Sequence, residues 1–146
     1  VLWLGLHVVK MLSSLVGGRW TDRSGAARVV LAGWLWYTLV YAALAFTTNT
    51  GLIIALVLLY GVYHGLSEAA EKAWVAELAP PEQLGTWFGW FHLTVGVFTL
   101  PASVIFGWIW ERHGSASAFQ TGAILGLTAV CLLLWLRPTA PAPTVS

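Results

Sequence analysis

The sequence predicts an all-helical, polytopic membrane bundle, and three observations carry that reading. Of 146 residues, 58% are hydrophobic and only 9% are charged, against roughly 25% charged in a soluble domain, and the mean hydropathy is +0.77. The apolar residues fall into five long runs separated by short charged, polar or proline-rich breaks. Many of the ten tryptophans stand near the ends of those runs, where an amphipathic ring prefers the membrane interface.

The first helix is expected over about 1–16. It is shorter than the ~20 residues of a full span and starts at Val1 without a methionine, so the chain is expected to be a fragment of a longer protein. Lys10 interrupts the run and no small-residue cleavage site follows, which argues against a signal peptide. The densest charge in the chain comes next, with Arg19, Asp22, Arg23 and Arg28 among Gly17, Gly18 and Gly25. Charges are costly in hydrocarbon, so this stretch is expected to be a water-facing turn.

Helix two is expected over 29–46, free of ionisable residues, and Thr47-Thr48-Asn49-Thr50-Gly51 reverses the chain. Helix three, 52–74, begins apolar and then carries His64, Glu68, Glu71 and Lys72 until Pro80-Pro81 stops it, because neither proline can donate to a helix ladder. Helix four, 85–110, starts after Glu82, which favours the positive end of the helix dipole. Its inner tryptophans, Trp90 and Trp108, are separated by about 27 Å of helix, close to the hydrocarbon thickness. Pro101 in its middle removes a backbone hydrogen bond and is expected to bend it. Glu111-Arg112-His113-Gly114 ends it, and helix five follows over 118–136, again without charge. The domain is thus residues 1–137, and the Pro/Ala/Thr tail 138–146 is expected to be disordered, with too little apolar surface to fold.

Orientation follows from the basic residues. Arg19, Arg23, Arg28, Lys72 and Arg137 fall on one side and only Arg112 on the other, so the first side, with the C-terminus, is expected to be cytoplasmic. Gly61/Gly65, Gly85/Gly89 and Gly122/Gly126 have the four-residue spacing that lets helices approach closely. Trp34 and Trp36 lie deep in helix two and are expected to face lipid.

A net charge of +1 with scattered basic residues excludes a nucleic-acid partner. The single cysteine, Cys131, allows neither a disulfide framework nor a cysteine metal site, and is expected to be a small buried side chain. His64, Glu68 and Glu71 could offer metal ligands on one helix face. Four dispersed histidines are too few for a membrane di-iron or zinc enzyme, so no metal and no cofactor are expected. No nucleophile elbow or phosphate loop is present, and the chain does not read as an enzyme.

The ionisable residues instead concentrate on three helices. His7, Lys10 and Ser14 form one stripe, and His64, Glu68 and Glu71 another. His92 lies on helix four. These helices are expected to face a polar interior, with helices two and five toward lipid. Lys10 near the centre of a span costs ~3 kcal/mol and marks function by default. It is expected to pair with Glu68 or with an anionic substrate group.

The pattern G-x-x-x-D-R-x-G over Gly18, Asp22, Arg23 and Gly25, with Arg28 beyond, resembles the loop signature of the major facilitator superfamily of secondary transporters. The run from Tyr60 to Gly89 resembles the fourth-span-to-loop segment of a C-terminal half in that family. Leu100-Pro101-Ala102-Ser103 and the run Phe106 to Gly114 resemble the end of its eleventh span. The five helices are accordingly similar to spans eight through twelve, the alternative being spans two through six of an N-terminal half. Two departures, Ala26 and Ala27 in place of a basic pair and Leu84 in place of an arginine, reduce the cytoplasmic charge network. The resemblance implies part of a secondary active transporter that moves a small solute by alternating access, by symport or antiport driven by protons. It also implies a missing N-terminal half and a place in a bilayer, the cytoplasmic (inner) membrane of a bacterium. His7, Lys10, His64, Glu68, Glu71 and His92 would line its cavity. Gly18, Asp22, Arg23, Gly25 and Arg28 would gate it from the cytoplasmic side, with Asp22 as a latch. A second reading is a non-transporting membrane scaffold or assembly factor on the same fold.

Overall fold

The computed structural model describes residues 2–136; Val1, Arg137 and the expected tail 138–146 lie outside the described residues. Those described form helices α1 (Leu2–Ser24), α2 (Ala26–Phe46), α3 (Thr50–Leu78) and α4 (Leu84–Leu136), with a short 3-10 turn at Pro81–Gln83. The five expected runs become four helices because the last two share one.

The boundary between α1 and α2 corrects the expected charged turn. The helix runs on through Gly17, Gly18 and Asp22 to Ser24, and one residue, Gly25 with φ 83°, makes the break. That left-handed conformation is open to glycine and strained for other residues. A helix satisfies its own backbone groups, so charge alone does not require a loop. Arg19, Asp22 and Arg23 reach water from helical positions while Gly17 is buried against α3. The α3 start follows local chemistry: Asn49 Oδ1 accepts from the Leu52 N–H at 3.0 Å, capping an orphan donor. Pro80 and Pro81 end it one turn later than expected, at Leu78.

Helix α4 has 53 residues, which as a straight rod would be ~80 Å long, more than twice the ~30 Å of hydrocarbon. It is not straight. Gly114, with φ 84° and ψ 167°, is the non-helical point within it, and the arms 84–113 and 115–136 fold back on each other. Phe119 on the second arm lies 5.6 Å from Phe106 and 5.5 Å from Trp110 on the first. Pro101 stays within helix, so the reversal belongs to Gly114 and not to the proline.

The helices pack in the order α1, α3, α2, second arm of α4. Gly61 and Gly65 of α3 lie against α1, where Cβ atoms would come within 2.9 Å of the Leu6 carbonyl oxygen and 2.6 Å of the Lys10 carbonyl oxygen. Gly122 and Gly126 of α4 meet Tyr37, Thr38 and Tyr41 of α2. Gly85 and Gly89 meet nothing, so that pair is not a packing site here. Val29, Val30, Leu66 and Ala70 form one core cluster; Val40, Leu44 and Leu56 form the other.

Helix α2 packs between α3 and α4, with Val29 and Val30 fully buried and Leu35, Leu39 and Phe46 exposed along its other side. Its tryptophans reach α3 through their indole N–H groups, Trp34 donating to Glu71 at 3.1 Å and Trp36 to the Leu59 carbonyl at 2.9 Å. Burying an indole requires such a partner, and an apolar run cannot say which neighbour supplies it. Cys131 is exposed, not buried. The first arm of α4 is the least covered element, with only Phe88, Phe91, Phe106 and Ile109 partly buried between residues 84 and 113.

Among the described residues, three helical stretches are long and apolar enough to cross a membrane: Ala26–Phe46, Thr50–Leu78 and Pro81–Leu136. Helix α1, with Lys10 and its charged last turns, is not one of them.

Candidate functional site

The close approach of α3 to α1 at Gly65 places the two polar stripes face to face. Lys10 Nζ lies 2.6 Å from Glu68 Oε2, and Lys72 Nζ donates to Glu68 Oε1 at 3.2 Å. One carboxylate therefore holds two ammonium groups, one across the helix contact and one a turn further along its own helix. With Ser14 and His64 they line a crevice of about 360 Å³. Each ammonium has three donors, so a single carboxylate leaves a net positive charge and free N–H groups facing that space. The triad is partly open, at 36% exposure for Lys10, 47% for Glu68 and 44% for Lys72, so water screens it and the pairs are individually weak.

The remaining expected cavity residues divide. His64 belongs to the crevice and also packs edge-on against Tyr60 at 4.8 Å. His7 sits a turn before Lys10 on α1, its Nδ1–H donating to the Trp3 carbonyl at 3.0 Å. Glu71 turns away from Glu68 to the Trp34 indole, so the α3 stripe serves two places and not one. His92 is exposed on the first arm of α4, beside Phe88 and Phe91, and joins neither. Among the described residues, no three His, Cys, Asp or Glu side chains gather as a metal site.

At the far end, Gly18 stands in open space on α1 and Asp22 and Arg23 occupy the exposed last turn. Gly25 makes the break and Arg28 lies in the first turn of α2. Among the described residues Asp22 forms no ion pair.

One grouping had not been expected. All four tyrosines converge, with Tyr37 lying 4.1 Å from Tyr41 and 5.1 Å from Tyr63, and Tyr60 lying 5.6 Å from Tyr63 and 5.7 Å from Tyr41. The signal was available in the spacing, since 37 and 41 share one face of α2 and 60 and 63 one face of α3. Gly122 and Gly126 leave room for the rings.

A bundle of helices long and apolar enough to cross a membrane, with few charges along its spans, defines an integral membrane protein. The chain matches the Major Facilitator Superfamily over residues 4–146, and it belongs to that family. It is 30% identical over 135 residues to an uncharacterised MFS-type transporter of Methanocaldococcus jannaschii, covering 92% of this chain and 34% of that protein. It is 29% identical to the uncharacterised MFS-type transporter YwoD of Bacillus subtilis, covering 94% of this chain and 32% of that one. The class E tetracycline resistance protein of Escherichia coli is 31% identical over 88% of this chain and 32% of its own length. The chain thus spans about a third of the length of these relatives. No solved structure gives a significant match.

Proposed function

We propose that this chain is the C-terminal portion of a secondary active transporter that moves a small solute by alternating access, coupled to protons. Its five helical segments, α1 to α3 and the two arms of α4, would act as spans eight through twelve beside an N-terminal half. The observation that carries the reading is the Lys10–Glu68–Lys72 triad between α1 and α3. Ionisable groups at membrane depth are retained where they serve a solute or ion path. Residues of the Gly18 to Arg28 stretch would close the cytoplasmic side, Asp22 meeting an arginine or a helix N-terminus in the closed state.

The test uses the complete protein in sealed vesicles, with tetracycline, the compound in one relative's name, as probe. The expected result is accumulation that follows an imposed proton gradient, collapses with a protonophore and is mostly lost in Glu68→Gln. Accumulation indifferent to the gradient would overturn proton coupling, and full activity of Glu68→Gln would remove the triad from the path.

A further inference from the structure

Glu71 differs from Glu68 in what answers its charge. Among the described residues both ion pairs of α3 belong to Glu68, and the partner of Glu71 is a neutral indole N–H from Trp34. Its half-buried carboxylate stands on the wall of a second cavity, about 530 Å³, bounded by α2, α3 and both arms of α4. That cavity shares no lining residue with the Lys10 crevice. Its volume lies in the ~300–1,000 Å³ range of small-molecule sites.

The rest of the wall narrows the chemistry of an occupant. Trp34, Trp74, Tyr37, Tyr63 and Phe91 supply the aromatic surface, and the remaining residues are aliphatic or glycine. When ionised, a carboxylate in such surroundings favours a positive charge beside it, which disfavours an anion. A divalent metal needs several oxygen ligands, and one carboxylate does not supply them. Aromatic rings attract an organic cation through their quadrupoles, and the apolar body of such a cation gains from burial against the same walls.

We propose that this cavity binds a lipophilic organic cation, with Glu71 as its counter-charge and the five aromatic side chains as its cage. Its role as transported solute rests on the transporter reading above. Binding alone does not.

The experiment measures equilibrium binding of radiolabelled tetraphenylphosphonium to the complete protein in lipid nanodiscs. Expected is saturable binding displaced by the unlabelled cation and not by benzoate. Glu71→Gln keeps an acceptor for the Trp34 indole while removing the charge, and should weaken binding at least about tenfold. Trp74→Leu should weaken it about threefold. If Glu71→Gln fails to fold, Trp74→Leu and Tyr63→Leu carry the test through the cage. Non-saturable uptake into the lipid, equal displacement by benzoate, or wild-type affinity in the folded Glu71→Gln or cage variants would overturn the site. Glu71-dependent binding without gradient-driven flux counts against the transporter reading alone, and flux without such binding counts against the cation site alone.

Discussion

At Glu68 one carboxylate answers two ammonium groups, Lys10 at 2.6 Å and Lys72 at 3.2 Å, so removing different members leaves different remainders. Lys10→Met leaves Glu68 with Lys72. Glu68→Gln leaves two cations facing each other without a counter-charge. At this partial exposure the cost is reduced by solvent, to about 1 kcal/mol for Glu68→Gln and under half that for Lys10→Met. Thermal melting of the complete protein checks the order, and a larger loss in Lys10→Met would show that Lys72 does not share the carboxylate. The Lys10–Glu68 meeting was legible because a charge in an apolar run needs a partner and both stripes pointed the same way. The spacing put Tyr37 with Tyr41 and Tyr60 with Tyr63 on single helix faces, but neither the meeting of those two pairs nor the Trp34–Glu71 bond was legible, since both depend on how α2 and α3 align lengthwise.

Among the elements, glycine pairs of identical spacing have different roles. At Gly65 an added Cβ would lie 2.6 Å from the Lys10 carbonyl oxygen and 2.8 Å from the Ser14 nitrogen, both backbone atoms that cannot move aside alone. Gly65→Ala should therefore push α1 off α3 and destabilise by about 2 kcal/mol or more. Gly85 has nothing within 4 Å, so Gly85→Ala should be neutral or stabilise by up to about 1 kcal/mol through helix propensity. Denaturation of the two variants in parallel separates these outcomes; equal losses would contradict the packing described. That the chain folds as long apolar helices was legible in composition. Their ends were not, because a helix can carry charge to its last turn, as α1 does, and because one glycine can replace a loop, as Gly25 and Gly114 do.

For the whole molecule, the pairing of Gly65 with Ser13 and of Gly61 with Leu6 makes α1 and α3 parallel, with α2 antiparallel between their chain positions. Arg19, Arg23 and Arg28 therefore share an end with the α3–α4 connection at Pro80, while Asn49 and Gly114 lie at the other. We propose, from the positive-inside rule, that the basic end faces the cytoplasm. In the complete protein with Cys131→Ser, single cysteines at Asn49 and Ser115, both exposed, should react with an impermeant thiol reagent added outside intact cells; labelling only after lysis would reverse the orientation. On this topology the turn at Gly114 also bears on biogenesis. Under the proposed orientation, arms joined through a single residue would enter the bilayer together, as a hairpin. Glu111, Arg112 and His113 are then carried across at its tip, a transfer that costs several kcal/mol for charged groups and is offset by the two apolar arms entering together.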